Sequence, residues 1–160
     1  MAMGKEIAPA RIDILRADPR APASVALIEE LDRHLVALYP AESNHLMDLE
    51  ALAAPEVEFF IAQVDGAAVG CGAIKRFRDY AEVKRVFVAP RARGLGVARR
   101  IIRALQAAAS ASGLRVLRLE TGIHQPDALA LFESAGFTRR ESFGDYPAND
   151  PYSVFMELNL

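Results

Sequence analysis

The chain has 160 residues, 52% of them apolar and 25% charged, with a formal net charge of −2. That length suits about one domain, the apolar content and near-neutrality exclude a disordered chain, and the charge argues against a general nucleic-acid binder. One cysteine, Cys71, excludes an intramolecular disulfide, a multi-cysteine zinc site and a Cys-x-x-Cys redox pair.

In chain order, Arg11 to Arg16 alternates, with Ile12 and Ile14 on one face, and predicts a short strand. Pro19 and Pro22 then interrupt it. From Ser24 to Leu38, Val25, Ile28, Leu31, Leu35 and Leu38 recur at helical spacing, with Ser24 as N-cap and Pro40 as stop. Ser43 or Asn44 is expected to cap a shorter helix through Leu52. Val57–Val64 and Ala67–Arg76 read as strands joined by Asp65-Gly66, a two-residue hairpin signal because both residues tolerate positive φ. Tyr80 to Val88 is a fourth strand. Gly94 to Ser112 is a helix, with Val97, Ile101, Ile102, Leu105 and Ala108/Ala109 on its buried stripe and Gly113 beyond its end. Arg115–Glu120 is an internal strand, Asp127–Ala135 a short helix, and Phe137–Ser142 and Tyr152–Leu158 are final strands.

An antiparallel meander followed by a strand-helix-strand crossover predicts one mixed, mostly antiparallel α/β sheet of about seven strands, with helices on both faces. Residues 1–160 are expected to form a single domain, because no linker interrupts them. No run reaches the ~18 apolar residues of a membrane span, and the first ten residues lack the apolar core of a secretory signal, so the expectation is cytoplasmic, with no membrane partner.

The segment from Glu82 to Arg99 carries the chemistry: a strand, a turn rich in Arg and Gly, then a long helix. Such a helix start aims several backbone N–H groups, and the positive end of the dipole, at one spot. Gly94 and Gly96 remove Cβ atoms there, and Arg91 and Arg93 add charge, so the turn reads as a pyrophosphate cradle. A dinucleotide fingerprint needs glycine where Arg99 stands, and no Gly-Lys-Ser/Thr of a P-loop occurs.

Arg91-x-x-Gly94-x-Gly96 resembles the Gln/Arg-x-x-Gly-x-Gly/Ala signature of the GCN5-related N-acetyltransferases, at the place where that family carries it. Gln125-x-x-Ala128-x-x-Leu131-Phe132-x-x-x-Gly136-Phe137 is similar to the family's second segment, and the predicted element order matches its fold along nearly the whole chain. Leu119-Glu120-Thr121-Gly122 and Phe143-Gly144-x-Tyr146 look like a bacterial branch of small acetyltransferases.

The resemblance implies acetyl-CoA as co-substrate and a small-molecule primary amine as acceptor, attacked directly in a ternary complex, with a homodimer as a possible assembly. The pyrophosphate would sit on Arg91, Arg93, Gly94, Leu95, Gly96 and Val97, near Ala98 and Arg99. The pantetheine arm would pair with Val86, Phe87 and Val88, which requires the fourth and fifth strands to splay. A backbone N–H near Val86 would polarise the thioester carbonyl. Glu82 is the first candidate to take the amine proton, the alternative being a surface glutamate paired with Lys84 or Arg85; Glu120 is the second. Strand alternation puts Glu82, Lys84, Val86 and Val88 on one face and Arg85 and Phe87 on the other. Phe132 replaces the tyrosine that protonates the leaving thiolate in many members, so Tyr146, or else Tyr152, is the candidate acid. That replacement keeps open a non-catalytic acyl-CoA-binding or sensing domain. His34, Tyr39 and His45 fall in the region that closes over the acceptor. Cys71, between two glycines, reads as a small buried residue rather than a nucleophile, and the three histidines share no metal-ligand spacing.

Finally, Arg85, Arg91, Arg93, Arg99, Arg100 and Arg103 fall in a window without Asp or Glu. The near-neutral total therefore conceals one arginine-rich stretch that suits a phosphate-bearing ligand.

Overall fold

A computed structural model describes residues 9–43 and 48–160. The elements are β1 (Ile12–Arg16), α1 (Pro22–Leu38), α2 (Leu49–Leu52), β2 (Val57–Val64), β3 (Ala67–Arg76), β4 (Ala81–Val88), α3 (Val97–Ala111), β5 (Val116–Gly122), α4 (Pro126–Ser134), β6 (Thr138–Arg140) and β7 (Ser153–Asn159). Single 3-10 turns occupy Ala41–Ser43 and Pro90–Ala92. The strands form one seven-stranded sheet in the order β1-β2-β3-β4-β5-β7-β6. Only the β4–β5 pair is parallel. No helix of the described residues is long and apolar enough to cross a membrane.

The expected helices on both faces are present, each over its own core. One core packs α3 and α4 on the sheet, through Ile101, Leu105, Phe132, Ile74, Leu117 and Met156. The other packs α1 and α2 on the opposite face, through Leu27, Ile28, Leu31, Leu52, Phe59 and Phe87. The β2–β3 turn has Asp65 at φ 48° and Gly66 at φ 86°, the left-handed pair that a two-residue hairpin requires.

Several boundaries differ from expectation. α1 starts at Pro22, whose ring suits a first helical position, so Ser24 lies inside the helix with its side chain buried instead of capping it. α2 is capped by Asp48, which accepts the Ala51 N–H at 2.7 Å. Ser43 sits in the preceding 3-10 turn, and Asn44 lies outside the described residues. α3 begins only at Val97, with Gly96 as its cap in the left-handed region. β5 runs two residues past Glu120, because Thr121 and Gly122 pair with Val154 and Ser153 of β7. β6 is only three residues long.

Two irregularities of β4 shape the molecule. Its pairing with β5 consists of Ala81 opposite Leu117 and Glu82 opposite Arg118, and then the strands part. On the other edge, Lys84 faces Ala73 and Phe87 faces Cys71, so two β4 residues, Arg85 and Val86, stand against the single Gly72. This is a β-bulge, and Arg85 takes φ 57° within it. A non-glycine residue held there costs of order 1–3 kcal/mol. The bulge overturns the expected alternation. Glu82, Lys84 and Phe87 share the α1 face with Cys71 and Ala73, while Val83, Val86 and Val88 face α3. Gly72 has no room for a side chain, since a Cβ would lie 2.6 Å from Ile101 Cγ2.

Candidate functional site

Where β4 and β5 part, a cleft of about 550 Å³ opens. β4 lines it with Val83 to Val88, β5 with Glu120 to Gly122, α1 with Leu31, His34 and Leu35, and the start of α3 with Ala98. Leu131 and Phe132 of α4 border it too.

On one side lies a charged cluster. Glu82 is 3% exposed, and its Oε2 is 2.7 Å from Lys84 Nζ. The Tyr146 hydroxyl donates to that same oxygen, and Lys84 Nζ donates to the Tyr146 oxygen. Lys84 and Tyr146 line the cleft, with Glu82 behind them. Glu82 is thus not a surface residue, and its cationic partner is Lys84 rather than Arg85. Burial, then the nearby Glu82 carboxylate and its hydrogen bond, push the Tyr146 phenol far above the usual tyrosine range. Phe143 and Phe155 pack edge-on against the Tyr146 ring, with centroids 5.4 and 5.5 Å away. The two residues singled out separately in the sequence, 64 positions apart, therefore share a hydrogen bond. Glu120, on β5, lines the same cleft and accepts the Ser153 hydroxyl at 3.0 Å, and its charge adds to the upward push on both the Tyr146 and Tyr39 phenols.

The facing wall is aromatic. The Tyr39 oxygen accepts the His124 backbone N–H at 3.0 Å, and its ring stacks on His124 at 5.4 Å and meets Tyr152 edge-on at 6.2 Å. Tyr39 lies 3.4 Å from Gln125 Oε1. His34 lines the cleft as well; His45 falls outside the described residues. Gly122 permits this wall, because a Cβ there would lie 1.8 Å from the Tyr39 oxygen and 2.1 Å from its Cζ. Gly122→Ala is expected to destabilise the fold by about 1–3 kcal/mol, the usual cost of overpacking. Thermal unfolding checks this, and removing the ring in Gly122→Ala/Tyr39→Ala is expected to show a smaller penalty for the added methyl than the wild-type background does.

The glycine turn lies at the other end. Gly94 has φ 82° and Gly96 φ 81°, and a Cβ on either would meet no atom of the described residues beyond its chain neighbours within 4 Å. Arg93 lines the cleft, with its Nε donating to the Val88 carbonyl at 3.3 Å. Arg91 leans away, toward Glu30 at 3.6 Å and the Ala68 carbonyl at 3.2 Å. Leu95 is exposed, and Val97 has its side chain in the core. Arg99 stands with Arg103 and Ser134 around a separate hollow of about 150 Å³. Phe132 packs edge-on against Phe137 at 5.6 Å while bordering the cleft.

The arginine-rich stretch is not one patch. Arg85 is turned inward, its side chain 5% exposed and ion-paired with Asp32 of α1. Arg100 donates to the Ile12 carbonyl at 3.1 Å. Cys71 is fully buried, and burial pushes its thiol up to about 12, which leaves it unfit as a nucleophile. Sequence reasoning did not assign roles to Lys84, Asp32, His124 or Gln125. Lys84 was within reach as Glu82's same-face neighbour two residues on; His124 and Gln125 meet the cleft only through tertiary packing, and Asp32 stands outside its lining, paired with Arg85.

The GNAT acetyltransferase family matches residues 25–137, and the chain belongs to that family. An IAA acetyltransferase of Azospirillum brasilense is 49% identical over 151 residues, covering 93% of this chain and 98% of its own. The uncharacterized N-acetyltransferase YsnE of Bacillus subtilis is 35% identical over 140 residues, covering 85% of this chain and 91% of its own. A solved structure assigned as an acyl-CoA N-acyltransferase from Klebsiella pneumoniae superposes with a TM-score of 0.79 at 34% identity, over 93% of this chain and 97% of that one. The PaiA N-acetyltransferase of Thermoplasma acidophilum, solved in complex with coenzyme A, shares the fold at TM-score 0.70 and 13% identity, over 94% of this chain and 99% of that one.

Proposed function

We propose that this chain transfers the acetyl group of acetyl-CoA to a primary amine of a small molecule, by direct attack within a ternary complex. The observation that carries the reading is the single cleft along the parted strands, with the open glycine turn at one end and the Glu82–Lys84–Tyr146 cluster at its side. The residues fit the donor. No described residue fills the space beside Gly94 and Gly96, and the β4 edge beyond Glu82 is left unpaired by β5.

Acetyl-CoA supplies an acetyl group activated as a thioester, with a thiol as leaving group. Arg93 and the N–H groups opening α3 hold the pyrophosphate, with Gly94 and Gly96 allowing close approach. Val86 to Val88 offer backbone groups to the pantetheine amides. The bulge takes Val86 out of the β3 register, which makes its N–H the donor we assign to the thioester carbonyl oxygen. The amine nitrogen bonds to the acetyl carbon as the carbon–sulfur bond breaks. Glu82 takes the ammonium proton through the Tyr146 hydroxyl. Once Glu82 is neutral, the charge that held the phenol proton is gone, and Tyr146 passes a proton to the sulfur while regaining one from Glu82. Tyr146 thereby fills the role that Phe132 cannot. Glu120, His34 and Tyr39 shape the acceptor end. Thiol release from acetyl-CoA across a panel of amines tests the reading; tight CoA binding without turnover of any amine would leave an acyl-CoA-binding domain instead.

A further inference from the structure

We propose that Asp32, on α1, is a positioning residue that holds the β4 bulge through Arg85. The inference rests on the acetyl-transfer reading above, for which it supplies the device that keeps the Val86 N–H aimed at the thioester.

Arg85 is unusual on three counts at once. It takes φ 57° in the middle of a strand, a region that L side chains avoid. Its guanidinium is almost wholly buried, where a cation is kept only with a partner. Its carbonyl accepts the thiol of Cys71 at 3.2 Å, from a side chain with no exposure. A flat strand would need none of this. If β4 kept its register past Lys84, Arg85 would face Gly72 directly and no extra residue would be inserted.

The ion pair with Asp32 explains why the bulge persists. Asp32 projects from the middle of α1, whose neighbours Leu27, Ile28 and Leu31 are packed in the core beneath it. The carboxylate is therefore a fixed point on a rigid element. Arg85 can reach it only from the bulged backbone, which delivers its side chain to the α1 side of the sheet. Cys71 fastens the same peptide from β3. Helix and strand together choose the left-handed conformation over the extended one, and the residue that follows is Val86. Asp32 touches neither donor nor acceptor; its effect passes through Arg85.

The test exploits what glycine and alanine share and where they differ. Both remove the arginine side chain, but only glycine adopts positive φ without strain. Asp32→Ala, which removes the carboxylate that Arg85 pairs with on α1, and Asp32→Ala/Arg85→Ala are each expected to lower kcat by about 10²-fold, the scale of losing one oxyanion donor. KM for acetyl-CoA is expected to stay within about threefold, because the phosphate turn is untouched. Asp32→Ala/Arg85→Gly is expected to recover most of the lost kcat. Amide hydrogen exchange at Val86 in the free protein gives a readout independent of turnover, faster in the alanine double variant and near wild type in the glycine one. Equal kcat loss and equal Val86 exchange in the alanine and glycine double variants would overturn the proposal, since the pair would then be only a packing element. If wild type acetylates no amine, the exchange comparison still decides the positioning claim, while the acetyl-transfer reading fails separately.

Discussion

Glu82→Gln is expected to lower kcat for amine acetylation by about 10²–10³, within the usual range for a lost general base. The amide keeps the volume and still accepts the Tyr146 hydroxyl, but it cannot take a proton. It also leaves Lys84, mostly buried, beside a neutral group. Affinity for CoA is expected to remain within about threefold, since the phosphate turn lies at the other end of the cleft. Thiol-release kinetics with calorimetric titration of CoA separate the two quantities. Because Glu82 and Tyr146 act on one proton path, Glu82→Gln/Tyr146→Phe is expected to be little worse than either single change. An unchanged kcat in Glu82→Gln would remove it from the path and leave Glu120 as the carboxylate to test.

Gly96→Glu is expected to reduce CoA affinity by at least about 10²-fold, a difference near 2.7 kcal/mol. Two effects add. The residue sits at φ 81°, where any side chain is strained, and the new carboxylate would enter the space reserved for phosphates, at the start of α3. Because a Cβ at Gly96 meets no atom of the described residues beyond its chain neighbours within 4 Å, the fold itself is expected to survive. Calorimetry reads the affinity and circular dichroism the fold. Gly96→Ala isolates the strain, and is expected to lose less than Gly96→Glu. Retained CoA affinity in Gly96→Glu would mean that the phosphates bind elsewhere.

Much of the fold was legible because its signals are local. Val57–Val64 and Ala67–Arg76 appear with the expected boundaries, since Asp65-Gly66 dictates both the turn and the register. The stripe of α3 was equally plain, from Val97 through Ile101 and Leu105 to Ala109. The helix caps were read less well. Ser24 is a good cap by type, but Pro22 claims the helix start and the packing of α1 buries the serine. The largest error has one cause. A bulge inserts a residue without leaving a trace in composition, so period-two alternation assigned Phe87, Val86 and Val88 to the wrong faces. Arg85 was misread for the same reason: as a sequence neighbour of the glycine turn it seemed to add charge there, whereas the bulged backbone delivers it to Asp32. In the candidate site, Glu82 and Tyr146 could be nominated from resemblance, yet their hydrogen bond depends on the loop before β7 folding back over β4.

The parting of β4 from β5 also bears on how firmly the molecule holds together. The two sides of the sheet, β1 to β4 and β5 with β7 and β6, share only two residue pairs across the seam. An extended ligand that bonds to the exposed β4 edge and lies against β5 would act as a missing strand and join the two halves. By mass action, each tenfold rise in such a ligand above its dissociation constant adds about 1.4 kcal/mol to the free energy of unfolding. Under the acetyl-transfer reading, the melting temperature of this chain is expected to rise with donor concentration, which a thermal titration with CoA reads.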